Sequence, residues 1–147
     1  MKTNLTVIFL LYACALFAQD KFYTKGLVNG YAWTDKNSTM ALTHSKAESL
    51  GAILERRNSL SQQNTDLNKS SFPLDCESDI ITLDKLDKSK PIDIDVIVKM
   101  IDEFYAKKEN LIIPVLGAYC CSVKKLSGVS PEEIEKYRSK LFEYSKN

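Results

Sequence analysis

Two adjacent cysteines, Cys120 and Cys121, stand in the stretch GAYCCSVKKLSG, residues 117–128, and two more, Cys14 and Cys76, complete the set of four. Such thiols can pair, bind a metal or act as nucleophiles, and each chemistry demands its own spacing. Metal binding needs further ligands nearby, yet the chain has one histidine and no C-x-x-C pair. A bridge between the neighbours would need a distorted peptide that a helix does not supply, so the expected bond joins Cys76 to one of them. On a wheel at ~100° per residue, Ile112, Leu116, Tyr119, Val123 and Leu126 form one stripe, with Cys120 at its edge and Cys121 opposite. Pro114, Gly117, Ala118 and Cys121 form a second face of small residues against which a connector carrying Cys76 could lie. The favoured pair is therefore Cys76–Cys121 over Cys76–Cys120, leaving Cys120 as a protected thiol at the core edge.

Other reactive constellations are thin. His44 sits at the edge of an apolar stripe, the place of a satisfied boundary histidine, and no second histidine completes a nucleophile, base and orienter with Cys120 or Cys121. DCESD, residues 75–79, opens like a calcium loop, but Ile80 stands where the loop needs glycine and Leu86 where it needs a closing glutamate. These read as surface acids. There is no phosphate-cradling glycine loop and no dinucleotide fingerprint. The sequons at Asn37 and Asn68 are no more than chance supplies in a chain rich in Asn, Ser and Thr. The expectation is a protein that is not an enzyme and holds no cofactor or metal.

The elements that would position these residues are helical. Residues 20–35 gather Phe22, Tyr23, Tyr31 and Trp33 around Gly26 and Gly30, too irregularly for a helix, and read as an extended lead-in. A first helix is predicted from Ser38 or Thr39 to Arg57, with Met40, Ala47, Leu50, Gly51 and Leu54 on one face. Residues 58–71, NSLSQQNTDLNKSS, read as a mobile polar surface loop with room for one helical turn, suited to a partner or a protease. An ordered connector with Pro73, Cys76, Ile80, Ile81 and Leu83 follows over 72–91. Asp93 caps a second helix carrying Ile94, Ile97, Val98, Ile101, Phe104 and Tyr105 at helical intervals. A third spans Asn110 to Leu126, with Pro114 in its first turn and Gly128 as its stop. Ser130–Glu133 is a capping box with Pro131 at the first position, opening a fourth helix striped by Ile134, Tyr137, Leu141 and Tyr144. The fold class expected is all-α, a compact bundle of about four helices.

Residues 1–18, MKTNLTVIFLLYACALFA, have a lysine start, a short apolar run and a small closing residue, the pattern of a secretory signal peptide. The run is too short to span a bilayer, which takes about 20 residues. Residues 19–147 would then form one exported domain, periplasmic or extracellular. LYAC, residues 11–14, also resembles a lipobox, which would make Cys14 a lipid-anchored first residue. The chain carries 20 Lys+Arg against 19 Asp+Glu. Its basic pairs at Arg56-Arg57, Lys107-Lys108 and Lys124-Lys125 lie far apart, so nothing favours nucleic acid.

NGYAW (29–33), Lys46 with Leu50-Gly51, IDEFYAKKENLIIPVLGAY (101–119), Gly128 and EEIEKY (132–137) together resemble a pattern in small exported bacterial proteins of unknown function. The chain departs from it around Gly51, where the pattern has an aromatic before the glycine and a second glycine soon after. The arrangement is more weakly similar to Tai-type immunity proteins, which protect bacteria from toxins of type VI secretion. That resemblance implies a compact helical bundle with paired disulfides, to which three cysteines in 19–147 do not conform. The expected function is an exported, non-enzymatic module that binds another protein through the polar loop or an exposed aromatic edge. Immunity toward a secreted toxin and a lipid-anchored envelope component are the alternatives.

Overall fold

The computed structural model describes residues 21–37, 45–62, 76, 79 and 93–146. The leader with Cys14, His44, residues 63–71 of the polar loop and most of the connector lie outside the described residues.

The aromatic lead-in is ordered differently from expectation. Strand β1 (Tyr23–Thr24) pairs antiparallel with β2 (Leu27–Val28), Tyr23 opposite Val28 and Thr24 opposite Leu27. The two loop residues, Lys25 and Gly26, hold φ of 49° and 78°, the left-handed pair that a type I′ hairpin turn requires. A short helix α1 (Gly30–Thr34) follows at once. Its existence rests on Asn29, whose Oδ1 accepts the amides of Tyr31 and Ala32 at 3.0 and 3.4 Å. Neither strands of two residues nor a helix of five can establish a period, so an irregular stretch was all that the pattern could show.

Helix α2 (Lys46–Gln62) starts later and ends later than the hydrophobic spacing suggests. Ser45 and Glu48 form a capping box: the Glu48 amide donates to Ser45 Oγ at 3.2 Å, and the Ser45 amide donates to Glu48 Oε2 at 2.7 Å. The helix that carries Leu50 therefore begins at Lys46 rather than at Ser38 or Thr39, which lie outside the described residues, and it continues through 58–62, where a polar loop with at most one helical turn was expected. Leu50 is the fully buried anchor of this helix, with Ile53 and Leu54 half-buried beside the core.

Helix α3 (Ile94–Tyr105) matches its expected bounds, capped by Asp93 through the Asp95 amide at 2.9 Å. It buries Ile97, Ile101 and Tyr105, whereas Ile94, expected in the stripe, is 40 % exposed at the first turn. The third expected helix is two elements, a 3-10 turn (Lys108–Ile112) and then α4 (Val115–Leu126). Proline explains the break. Its ring disfavours helical geometry in the preceding residue, and Ile113 is extended at φ −74°, ψ 133°. Pro114 is therefore the residue before the helix, not a member of its first turn. Gly128, at φ 86°, turns the chain away, with the Val129 amide donating back to Lys124 O at 3.0 Å. Helix α5 (Pro131–Lys146) opens on the expected capping box, the Glu133 amide donating to Ser130 Oγ at 3.3 Å, and buries Tyr137 and Leu141.

Helix α4 lies at the centre, packed against α3 on one side and α5 on the other. Its burial is nearly all round: Val115 to Ala118 and Cys120 to Val123 are buried, while Leu126, expected in the stripe, is exposed. A helix covered on both sides cannot be read from a single stripe. The architecture is thus mostly helical, with five α-helices among the described residues and one small hairpin that the all-α expectation lacked. No helix among the described residues is long and apolar enough to cross a membrane.

Gly30 sits where α1 meets α3. A Cβ there would run into the Tyr105 ring and stand 2.9 Å from Leu111 Cα. Alanine ordinarily favours a helix, yet Gly30→Ala is expected to cost about 1 to 3 kcal/mol, because a backbone atom cannot step aside as a side-chain tip can. Urea unfolding of the variant measures it, and an unchanged midpoint would contradict this packing.

Candidate binding face

The bridge joins Cys76 to Cys120, with Cα atoms 5.4 Å apart, and among the described residues Cys121 is free and buried. The expected Cys76–Cys121 pair is overturned. The small-residue face offers the connector a close approach in sequence terms, but both sides of α4 are occupied, and Cys121 belongs to the side turned toward α5. It helps to floor a groove of about 230 Å³ with Asn110, Phe104, Ile134 and Arg138. Burial pushes its thiol up to about 12, against the opposing pull of Arg138 and Lys124. The Tyr105 hydroxyl, buried nearby and donating to Ile113 O at 2.9 Å, is likewise raised well above its ordinary value, by burial first and then by Cys121. Such a thiol is protonated at neutral pH and is no nucleophile.

A raised thiol has a consequence for stability. The folded state holds the proton more tightly than the unfolded chain, so the contribution of Cys121 is fully present below pH 9 and is lost as pH climbs toward 12. Stability should fall by up to about 1.4 kcal/mol per pH unit above pH 9. Chemical unfolding at pH 8, 9 and 10 would show it, and Cys121→Ala should flatten the slope. An identical slope in both chains would contradict the assignment.

Arg138, Glu135 and Asn110 at this groove satisfy one another. Arg138 donates through Nε to both Glu135 oxygens at 2.9 Å and through Nη1 to Asn110 Oδ1 at 3.0 Å. The Arg138 hydrogen bond holds the Glu135 carboxyl below its ordinary range, and the guanidinium is raised in turn by Glu135. Asn110 Nδ2 donates to Phe104 O at 2.7 Å, so the cluster ties α5, the 3-10 turn and α3 together. Asp79 of the DCESD stretch is no surface acid: it accepts from Lys124 Nζ at 2.8 Å and Ser127 Oγ at 3.2 Å, fastening the connector to the end of α4. Asp102 Oδ1 accepts from Trp33 Nε1 at 2.7 Å and pairs with Lys46, whose ammonium lies 5.3 Å from the Trp33 ring. The residues that carried the sequence resemblance, Asn29 to Trp33, Lys46, Asp102, Tyr105 and Asn110, are in this fold its joints. Among the described residues, no group of three His, Cys, Asp or Glu side chains gathers as a metal site would.

The other concave surface is built differently. A groove of about 440 Å³ is lined by Lys21, Tyr23, Thr24, Lys25, Asn29, Tyr31, Ile112 and Ser145. Its floor is locked: Asn29 Nδ2 donates to Lys21 O at 3.0 Å and to Thr24 Oγ1 at 3.1 Å, and Thr24 Oγ1 donates to Ile112 O at 2.6 Å. Its rim is open. Tyr23 is 51 % exposed, Lys21 Nζ lies 5.2 Å from the Tyr31 ring centre, and Lys25 Nζ lies 4.0 Å from that of Tyr144 on α5. Among the described residues, no carboxylate lines the groove. Tyr23 and Tyr31 belong to the aromatic lead-in of the sequence, but nothing in the sequence singles out Lys21, Lys25 or Ser145, since the meeting of the hairpin with the end of α5 leaves no local signal. The polar loop, the other expected contact, contributes only helical residues to the described structure.

Compared with models of known protein families, with curated proteins and with solved structures, the chain matches none.

Proposed function

We propose that the chain is an exported, non-enzymatic helical protein that binds another protein through the hairpin face of Lys21, Tyr23, Lys25 and Tyr31. The observation that carries this reading is the open aromatic rim over a rigid, internally satisfied floor. Tyrosines supply large contact area with little conformational freedom to lose, which is why they are enriched at interfaces. A floor whose hydrogen bonds are already made offers little to a small polar substrate, which needs convergent free donors and acceptors. The pKa shifts fall on two buried groups, Cys121 and Tyr105, and on the mutually satisfied Glu135 and Arg138. Those are poor materials for acid, base or nucleophile. The Cys76–Cys120 bridge supports an oxidising compartment, in keeping with the leader-like residues 1–18.

The test is co-purification from the exported fraction of the producing cell. Wild type should carry one species in fixed proportion, and Tyr23→Asp should lose it while melting at the same temperature, because Tyr23 lies at the surface. Equal recovery with both chains would overturn the reading.

A further inference from the structure

The hairpin groove carries a charge pattern more specific than protein binding in general. We infer that its occupant is an acidic segment of the partner, with carboxylates set against Lys21 and Lys25 and an aromatic or aliphatic residue on Tyr23; this rests on the reading of the face just given. Over the whole chain, bases and acids nearly balance at 20 and 19, yet the described residues that line this groove include two lysines and no acid. The cations at the joints of the helices are neutralised by acids: Lys46 meets Asp102, Lys124 meets Asp79 and Arg138 meets Glu135. Lys21 and Lys25 are instead held over tyrosine rings. A ring fixes where an ammonium stands without neutralising it, so the donors remain available to an anion.

The turn adds a second observation. Lys25 holds φ 49°, a left-handed conformation that Asn, Asp or Gly occupies at lower cost in this kind of turn. Lysine there weakens the hairpin and contributes nothing to its floor. What it does is carry an ammonium to the junction of the hairpin with Tyr144 of α5. Strain of this sort is retained where the side chain is used. Lysine presents a point charge, lacking the fork with which arginine grips phosphate in two places, and no arginine is among the described residues that line the groove. Paired with exposed tyrosine, it fits side-chain carboxylates on a partly apolar segment better than a phosphate-rich surface.

The experiment titrates the oxidised full chain, labelled with ¹⁵N, with a short alternating Glu-Tyr peptide, with its Gln-Tyr counterpart, and with phosphatidylglycerol vesicles. The Glu-Tyr peptide should shift the amides of 21–31 and 144–145, and raised salt should weaken it. The Lys21→Ala/Lys25→Ala chain should bind it roughly tenfold more weakly. Lys25→Asn decides between use and accident. It should leave the hairpin intact or firmer while weakening binding about threefold, and Lys25→Arg should restore it. Equal binding of the Gln-Tyr peptide would overturn the acidic occupant and leave the aromatic face standing. Lysine-dependent binding to the vesicles alone would replace the partner by a lipid surface, and shifts with none of the three would also overturn the inference. Neither of these last results touches the Tyr23 co-purification, which tests the face by itself.

Discussion

Reduction of the folded, oxidised protein is expected to remove about 4 kcal/mol of stability in the chain-entropy account, because the Cys76–Cys120 bond closes a separation of 44 residues. In a domain of this size that is a melting shift on the order of 15 °C. Proteases do not conveniently separate adjacent cysteines, so substitution identifies the partner better than peptide mapping. Reductant should destabilise Cys121→Ser as it does the wild type and should leave Cys120→Ser unaffected. The opposite pattern would restore the Cys76–Cys121 pair and displace the packing of α4 described above. The bridge has this weight because it holds the connector, through a fully buried Cys76, against the central helix.

Ile101→Ala should cost on the order of 2 to 5 kcal/mol. Ile101 has no exposed surface and lies mid-way along α3 where that helix meets α4. Its loss removes transfer energy and leaves a cavity between two helices that the neighbouring core holds in place. Leu116→Ala on α4 should fall in the same range, and Lys99→Ala, on the solvated side of α3, should stay within about 0.5 kcal/mol. Denaturant unfolding of the three variants measures the contrast, and similar losses at all three would mean that the face assignment of α3 is wrong.

These outcomes also mark where the sequence was legible. Asp93 and the Ser130–Glu133 box are local: a cap is made by residues two or three apart, so α3 and the start of α5 stand where the pattern put them. The Ser45–Glu48 box is equally local, and it, rather than the apolar spacing that reaches back to Met40, marks where the helix starts. Pro114 is a local signal too, because its ring holds Ile113 extended and so breaks the helix before it, whatever a first turn tolerates. Cys120 and Cys121 show the limit. They differ by one step on a wheel, and which of them meets Cys76 depends on the sides of α4 taken by α3, α5 and the connector. That is a matter of packing between elements far apart in sequence. The hairpin groove is of the same kind, since Lys25 and Tyr144 come together across most of the chain.

The central claim, that the hairpin face holds another protein, is tested most directly by a photo-crosslinking residue placed at Tyr23 in the producing cell, with the same residue at Lys99 as the reference. Both positions are exposed, and they belong to different surfaces, the rim of the groove and the solvated side of α3. Irradiation should give one discrete protein adduct from position 23 and none from position 99. Matching adducts from both positions, or none from either, would contradict the claim.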